Sequence, residues 1–337
     1  MTRTARFVVV VVVLGASLFG CSSSSKSSGR TSTTSSSVGR HRVASTETTS
    51  TAPKEKTPTL NQRMEPSIPV ARQEGAAAVA GAHLYVVGGY DSARNSTNDV
   101  FVFDGTRWQP GPPLPIALNH PGAAALGGRI YVVGGFTGGG ATGRAFVLKP
   151  RTGAWREVAP LHRPRGALAL VAFARHLYAI GGRDNSDQVA MVEVYDPRSN
   201  TWTDLSPMSD ARNHLAGYVD GRDICVAGGR TPVTSSRIDC FDPATGRWRR
   251  RATLPIGTSG AAAAVLRGTT VVAGGESAGE TTIVDAVQML DGKWQHTAMF
   301  VPRHGTAFAR YQGRLWLCGG ATAPGYAAVA TCTSLGL

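Results

Sequence analysis

The sequence predicts an all-β fold, a six-bladed β-propeller with four antiparallel strands in each blade. The main observation is a Gly-Gly pair that recurs after apolar runs at a near-constant interval, starting at Gly88, Gly134, Gly181, Gly228, Gly274 and Gly319. A tryptophan follows each of the first five pairs, again at a near-constant distance. Two markers in step indicate one structural unit repeated along the chain. A helical solenoid is excluded, because no segment beyond the extreme N-terminus keeps a helical apolar period.

The strands of each repeat follow in a fixed order. A run of small residues, such as residues 75–81, predicts the first strand, and the segment LYVVGG at residues 84–89 predicts the second. A further apolar stretch that ends in a turn, VEVYDPRSNTW at residues 192–202, predicts the third strand and, at its tryptophan, the fourth. Four short strands per repeat suit a propeller blade.

The sixth repeat is one strand short. No tryptophan follows its Gly-Gly pair, and only one strand, near residues 326–334, fits before the chain ends. Residues 59–66 lie before the first repeat at the spacing where the other repeats place their tryptophan strand. We therefore expect them to supply the fourth strand of the last blade, which removes the open edge between the first and last blades.

These residues carry a family resemblance. The Gly-Gly pair after an aromatic-containing strand, the later Tyr-Asp-Pro at residues 195–197 and the trailing tryptophan resemble the kelch repeat across residues 59–335. WD repeats are shorter and carry Trp-Asp, whereas Thr, Arg or Gln follows each tryptophan here. The resemblance implies a kelch-type propeller over residues 59–337. Two repeats depart from it, with Cys225 and Val271 in place of the aromatic residue.

Residues 1–58 differ in composition from the repeats. Two arginines precede an apolar run at residues 7–19 that is too short for a membrane span, which predicts a signal peptide over residues 1–20. Its end, Leu-Phe-Gly-Cys, resembles a bacterial lipobox. That resemblance implies a membrane-anchoring lipid on Cys21 and a location in the cell envelope outside the cytoplasm, whereas the alternative leaves Cys21 free. Residues 21–58 are rich in Ser and Thr and predict a disordered tether.

Charge is divided unevenly between these regions. The formal net charge is +13, but residues 1–58 hold eight of the 35 Lys and Arg residues and only two of the 22 Asp and Glu residues. This leaves 27 basic against 20 acidic residues in the propeller, spread over many loops. The modest excess, together with the predicted export, argues against a nucleic-acid partner.

Four cysteines besides Cys21 lie on predicted second and third strands, Cys225 and Cys240 in blade four and Cys318 and Cys332 in blade six. They allow three pairings. Because blades four and six are not neighbours, we predict one disulfide within each blade, in keeping with an oxidising compartment. The alternative, a metal site, lacks the C-x-x-C spacing.

One face of the propeller collects candidate binding residues. A single equivalent position upstream of the Gly-Gly pair is arginine in four of the six repeats, at Arg72, Arg165, Arg212 and Arg303. The residue directly after each pair is expected on the same face, and these residues include Tyr90, Phe136, Arg183, Arg230 and Glu276. With His214 they predict an arginine-lined rim for carboxylates or sugars. Alternatively, the arginines are a structural feature of the repeat.

Three histidines, His120, His214 and His304, precede their Gly-Gly pairs at almost the same distance in alternate blades. A three-histidine metal site is one interpretation of this symmetry. Loop histidines are more often simple surface groups, and we expect neither a metal nor a cofactor.

These features favour a non-catalytic module whose channel face binds a protein, a peptide or a glycan. The alternative is a carbohydrate-active enzyme, because kelch-type propellers also resemble sialate mutarotases and galactose oxidase. The oxidase resemblance implies copper held by two histidines and two tyrosines, one crosslinked to a cysteine, and the rim has few tyrosines. A mutarotase needs only an acid or base in a polar pocket, for which Glu276 with Arg212 or Arg230 is available.

Overall fold

The computed structural model describes residues 59–277 and 279–337, and every regular element in these ranges is a β-strand. None of these residues belongs to a helix that could cross a membrane. The predicted signal peptide, the tether and Cys21 lie outside the described residues. The all-β prediction is confirmed.

Six four-stranded antiparallel sheets form the six blades. Blade one contains β2 (Ala76–Ala80), β3 (His83–Val87), β4 (Val100–Phe103) and β5 (Trp108–Pro110). Blade two contains β6 (Gly122–Leu126), β7 (Arg129–Val133), β10 (Ala145–Lys149) and β11 (Ala154–Val158). Blade three contains β12 (Ala169–Phe173), β13 (His176–Ile180), β14 (Val192–Asp196) and β15 (Thr201–Leu205).

The second half of the ring repeats this plan. Blade four contains β16 (Ala216–Asp220), β17 (Asp223–Ala227), β20 (Arg237–Asp242) and β21 (Arg247–Thr253). Blade five contains β22 (Ala262–Leu266), β23 (Thr269–Ala273), β26 (Ala286–Asp291) and β27 (Lys293–Ala298). Blade six contains β28 (Ala307–Tyr311), β29 (Arg314–Cys318), β30 (Cys332–Gly336) and, from the start of the domain, β1 (Asn61–Glu65).

Short two-stranded ribbons extend the loops between the second and third strands of three blades. They are β8 (Phe136–Thr137) with β9 (Gly140–Ala141), β18 (Arg230–Thr231) with β19 (Val233–Thr234), and β24 (Glu276–Ser277) with β25 (Thr282–Ile283). Each ribbon begins at the residue directly after a Gly-Gly pair. The ribbons therefore stand on the face that carries the predicted rim.

The last blade is closed by the N-terminal strand, as predicted. β1 pairs antiparallel with β30, from Asn61 opposite Gly336 to Glu65 opposite Cys332. Blade six therefore holds both ends of the described domain, and the ring has no unpaired junction between its first and last blades.

The Gly-Gly pairs connect neighbouring blades through backbone hydrogen bonds. The N–H of Gly135 in blade two donates to the carbonyl oxygen of Arg165 in blade three at 2.9 Å. A Cβ atom on Gly134 would collide with the same oxygen, and Gly134 also has a φ of 65°. Only glycine combines this conformation with so close an approach. The contact recurs around the ring and ends with Gly320 of blade six donating to Arg72 of blade one.

Apolar side chains form one buried cluster between each pair of neighbouring blades. Between blades two and three, the rings of Tyr131 and Tyr195 lie 5.9 Å apart. The indole N–H of Trp202 donates to the carbonyl oxygen of Ala159 at 2.8 Å, which links the outer strand of blade three to blade two. The periodic tryptophans thus serve as contacts between blades.

Both predicted disulfides are confirmed. Cys225 on β17 bonds to Cys240 on β20, and Cys318 on β29 bonds to Cys332 on β30. Each bridge joins directly opposed residues on the second and third strands of its own blade. All four sulfur atoms lie in buried residues between blades.

Candidate binding site at the channel mouth

Six equivalent residues form a closed ring of backbone hydrogen bonds around the channel. In each, the N–H donates to the carbonyl oxygen of its counterpart in the preceding blade at 2.7 to 2.9 Å, and blade one closes the circle by donating to blade six. All six have φ between 50° and 66°. We call this set the channel ring; its members are Glu74, His120, Ala167, His214, Gly260 and Gly305.

The channel ring separates two cavities. Glu74, His120 and His214 line both a channel of about 460 Å³ among the first strands and a second cavity of about 710 Å³ on the face with the ribbons. We call the second one the upper cavity. The hydrogen bonds of the ring hold its backbone in place. The side chains of Glu74, His120 and His214 therefore lie at the boundary between the channel and the upper cavity.

The sequence predicts that the residues directly after the Gly-Gly pairs lie on one face, and the structure brings them together in the upper cavity. Five of them line it together with His214, namely Tyr90, Phe136, Arg183, Arg230 and Glu276. The sixth residue of this register, Ala321, is buried. Each of the six forms an isolated β-bridge to the residue just before the channel ring, as between Arg230 and Asn213. This backbone pairing fixes the positions of their Cα atoms relative to the channel ring.

The predicted arginine ring requires a correction. Arg72, Arg165, Arg212 and Arg303 do not line an exposed rim, since they are only 5%, 0%, 0% and 1% exposed. Arg165 donates from Nε to the Gly181 carbonyl at 2.9 Å, and Arg212 donates from Nη1 to the Gly228 carbonyl at 2.9 Å. Arg303 likewise donates to the Gly319 carbonyl, whereas Arg72 donates to the Ala71 carbonyl and to Asp99. All four are buried within the blades, so the structural alternative describes them.

Acidic residues on or beside the third strands neutralise three of these arginines. Arg165 pairs with the fully buried Glu193, and Arg212 pairs with Asp239 at 2.6 Å. Arg72 pairs with Asp99 just before β4. Among the described residues, no carboxylate reaches ion-pair distance of Arg303, and burial lowers the pKa of this guanidinium to about 10.

The upper cavity has its own charged network on its blade-five side. Arg230 Nη1 lies 3.6 Å from Glu276 Oε2 and also pairs with Glu280. Glu276 Oε1 lies 3.3 Å from His304 Nε2. Burial raises the pKa of the Glu276 carboxyl although His304 and Arg230 oppose this. A carboxyl group with a raised pKa thus lies beside an imidazole within a ligand-sized cavity.

Glu74 is the centre of a second network. Its Oε2 lies 3.3 Å from His120 Nε2 and 3.9 Å from His214 Nε2, while its Oε1 lies 3.6 Å from His304 Nδ1. Burial alone would raise the pKa of Glu74, but the three histidines together lower it far below the usual range. The Glu74 side chain is therefore a carboxylate at the floor of the upper cavity.

The outer part of the cavity is bounded by aromatic side chains. Tyr90 stands edge-on to Tyr326, with ring centroids 5.3 Å apart, and the Arg94 guanidinium lies 4.1 Å from the centre of the Tyr326 ring. Tyr326 belongs to the loop between β29 and β30, whose Gly325 accepts a hydrogen bond from Gln73 at 2.9 Å. Tyr326 is 43% exposed, so it forms the solvent-facing side of the cavity.

Sequence reasoning missed Glu74, although the signal was present. Glu74 precedes Gly88 by the same offset that separates His120 and His214 from their own Gly-Gly pairs. His304 lies one position earlier in the repeat than those two, and it faces Glu74 and Glu276. The three histidines are therefore not equivalent by symmetry, and the ring position combines two histidines with one glutamate.

Comparisons with known proteins agree with the fold. The family model described as the KLHDC2/KLHL20/DRC7 Kelch-repeats domain matches residues 51–214, just under half of the chain. A solved structure of the protein YjhT is similar with a TM-score of 0.69 and 16% sequence identity, covering 79% of this chain and 95% of that one. No curated protein sequence matches the chain. The kelch model and the six-bladed architecture together make this a kelch-type propeller fold.

Proposed function

We propose that this propeller is a binding module that takes a carboxylate-bearing glycan in its upper cavity. The observation that carries the proposal is the convergence of Arg183 and Arg230 with the aromatic side chains of Tyr90, Phe136 and Tyr326 around about 710 Å³. A guanidinium binds a carboxylate with two parallel hydrogen bonds, and an aromatic face packs against the apolar face of a sugar ring. A cavity of this volume suits a mono- or disaccharide rather than a folded protein surface.

The two arginines have different parts in this proposal. Arg183 is exposed, and no ion pair involving it is found among the described residues, so it is free to receive a ligand carboxylate. Arg230 already pairs with Glu276 and Glu280 and is held by Asn213 Oδ1 at 3.1 Å. Arg183 therefore supplies the charge contact, and the ordered Arg230 defines the wall beside the sugar.

A glycan array followed by calorimetry on the purified full chain tests this function. Acidic sugars should bind and their neutral counterparts should bind at least about tenfold more weakly, which corresponds to one charge-assisted contact. Arg183→Ala should remove that preference. Arg249→Ala, on the outer strand of blade four and paired with Asp223, is the matched control and should change nothing. Equal binding of acidic and neutral sugars would refute the proposal.

A second candidate function is exchange of sugar anomers, favoured by the pairing of Glu276 with His304. Ring opening needs one group to remove the proton of the anomeric hydroxyl while another protonates the ring oxygen, and ring closure reverses both transfers. Glu276 and His304 are adjacent, and both border the cavity. NMR exchange measurements on acidic sugars should show acceleration by the wild-type chain and its loss in Glu276→Gln. No acceleration in the wild type would leave the binding function alone.

A galactose-oxidase-like site has less support. All four cysteines among the described residues are in disulfides, which leaves none of them to form a thioether with a tyrosine.

The location of this module is part of the proposal. The lipobox-like end of the apolar run supports lipid attachment at Cys21, outside the described residues, and the two buried disulfides suit an oxidising compartment. Incorporation of a labelled fatty acid into the wild type, and its loss in Cys21→Ser, would support envelope anchoring. Equal labelling of both chains would contradict it.

A further inference from the structure

Three possible metal-ligating atoms converge at the floor of the upper cavity. Glu74, His120 and His214 each offer one ligand atom, and these atoms all lie within 4.8 Å of one another. The imidazole rings of His120 and His214 stand edge-on with centroids 4.9 Å apart. All three residues belong to the channel ring, so their backbones are held by the ring hydrogen bonds.

The asparagine before each histidine orients its imidazole. His120 Nδ1 lies 2.6 Å from Asn119 Oδ1, and His214 Nδ1 lies 2.5 Å from Asn213 Oδ1. The amide orientations follow from the other partners. Asn119 Nδ2 donates to the Phe136 carbonyl, and Asn213 Oδ1 accepts from Arg230 Nε.

An asparagine oxygen can only accept, so each imidazole donates its Nδ1 proton to the asparagine and turns Nε2 toward Glu74. Nε2 of His120 lies 3.3 Å and Nε2 of His214 lies 3.9 Å from Glu74 Oε2, so a metal ion that displaces any proton from these nitrogens would meet all three atoms.

Two imidazole nitrogens and a carboxylate oxygen thus converge on one point, while the neighbouring basic side chains each contact only one member of the set, Arg230 at His214 and His304 at Glu74. A divalent cation would contact all three atoms, and histidine ligands in metal sites are oriented by oxygen acceptors on their other nitrogen in this way. We propose that Glu74, His120 and His214 bind one divalent transition-metal ion, of which Zn²⁺ is the best match for two imidazole nitrogens and one carboxylate oxygen. This inference goes beyond the glycan-binding function.

The neighbouring residues define how such an ion would be used. His304 Nδ1 lies near the other oxygen of Glu74 and orients the carboxylate. Three protein ligands leave at least one coordination position open, and the three residues line both the upper cavity and the channel below it. An oxygen atom of a bound ligand would fill this position.

Arg230 competes with the proposed ion. Its Nη2 lies 3.2 Å from His214 Nε2, and it repels a cation. Binding of the ion replaces this contact, while Arg230 keeps its pairs with Glu276 and Glu280. Arg230→Gln should therefore tighten metal binding, which is a result that a merely structural histidine pair would not produce.

Calorimetry with Zn²⁺ and visible spectroscopy with Co²⁺, both on the purified full chain after dialysis against chelator, test the proposal. We expect one ion per chain and Co²⁺ bands of a nitrogen and oxygen ligand set. Glu74→Gln and His120→Ala should each weaken binding at least about 100-fold, and Asn119→Ala should weaken it by about 10- to 100-fold. Alanine already occupies the ring position at Ala167 with a φ of 52°, so the backbone accepts it at residue 120.

The control is His162→Ala. His162 belongs to a separate cluster with Glu193 and Asp204, and its loss should leave Zn²⁺ binding unchanged. Absence of stoichiometric metal in the wild type would overturn the proposal, and so would binding that survives Glu74→Gln but disappears in His162→Ala. Because the probe is the metal alone, this outcome is independent of whether acidic glycans bind.

Discussion

At the scale of single residues, the buried arginines differ in what neutralises them. Arg165 and Arg303 occupy equivalent positions, and both donate to the first glycine carbonyl of their own blade. Arg165 also faces the buried carboxylate of Glu193, whereas Arg303 binds the Thr331 carbonyl at 2.6 Å. Burying the arginine charge at this position of the repeat therefore costs more free energy for Arg303, which has no carboxylate partner, than for Arg165, which has one.

This difference predicts unequal effects of one substitution. Arg165→Met should lower the free energy of unfolding by about 3–5 kcal/mol, because it leaves the buried Glu193 charge without its arginine partner. Arg303→Met should cost clearly less, because it removes a buried charge that has no carboxylate partner. Urea denaturation at pH 7 measures both, and equal losses would contradict this explanation.

His304 predicts a pH dependence. Burial lowers its pKa, but Glu74 and Glu276 raise it overall above the usual 6.5. The stability that its charge contributes is therefore complete below the pKa of an unfolded histidine and is lost as pH rises through the higher folded value. The difference in unfolding free energy between wild type and His304→Gln should shrink as pH rises above 6.5, the usual pKa of histidine. His176→Gln is the control and should show no such trend, because no ion pair involving His176 is found among the described residues.

At the scale of elements, each disulfide joins the second strand of a blade to the third. The sequence separation of the two cysteines is 15 in blade four and 14 in blade six. In blade four the bridged strands β17 and β20 also pair with β16 and β21, which lie next to them in the sequence. In blade six the bridged strand β30 pairs with the closing strand β1. Closure of the ring therefore depends on the position of β30.

Removing either bridge should cost about 3 kcal/mol by the loop-closure effect alone. We expect Cys318→Ala with Cys332→Ala to be the more harmful pair, because it also loosens the strand on which β1 assembles. Urea denaturation of the two double variants, with Cys21→Ser as the control, compares them. A larger loss from the blade-four pair would contradict the special role of β30.

At the scale of the whole molecule, stability depends on ring closure. Open repeat arrays lose their terminal units first, because each end unit has only one neighbour. Here every blade has two neighbours, since Gly320 of blade six donates to Arg72 of blade one and β1 completes blade six. We therefore expect the described domain to unfold as one unit.

Proline substitutions in β1 test closure. The N–H groups of adjacent residues in an edge strand point in opposite directions, so only one of Gln62→Pro and Arg63→Pro removes a hydrogen bond to β30. That variant should lose about 1–3 kcal/mol and expose an edge that pairs between molecules. Urea denaturation and size-exclusion chromatography measure the two effects. Similar behaviour of both variants would argue against closure through β1.

The sequence register predicted the blades, the closing strand and both disulfides, because these depend on which residues share a strand position. It failed for the arginines, because the same position is compatible with a side chain that points to the cavity or back to its own Gly-Gly turn. Glu193 and Asp239, on the third strands of the same blades as their arginines, decide this, and they follow from strand pairing rather than from the repeat itself. Glu74 was missed because the sequence comparison looked for histidines at the repeat position of His120 and His214, and blade one has a glutamate there.

The channel ring has a consequence for how this kind of propeller can diversify. Its six backbones share one conformation regardless of whether the residue is Glu, His, Ala or Gly. Substituting one of these residues changes the chemistry at the mouth of the channel without disturbing the architecture that surrounds it. Gly305 is less suited to this, because a Cβ atom there would require the Glu74 carboxylate to move. Ala167 and Gly260 are therefore the positions where selection or an engineer can add functional groups, one blade at a time.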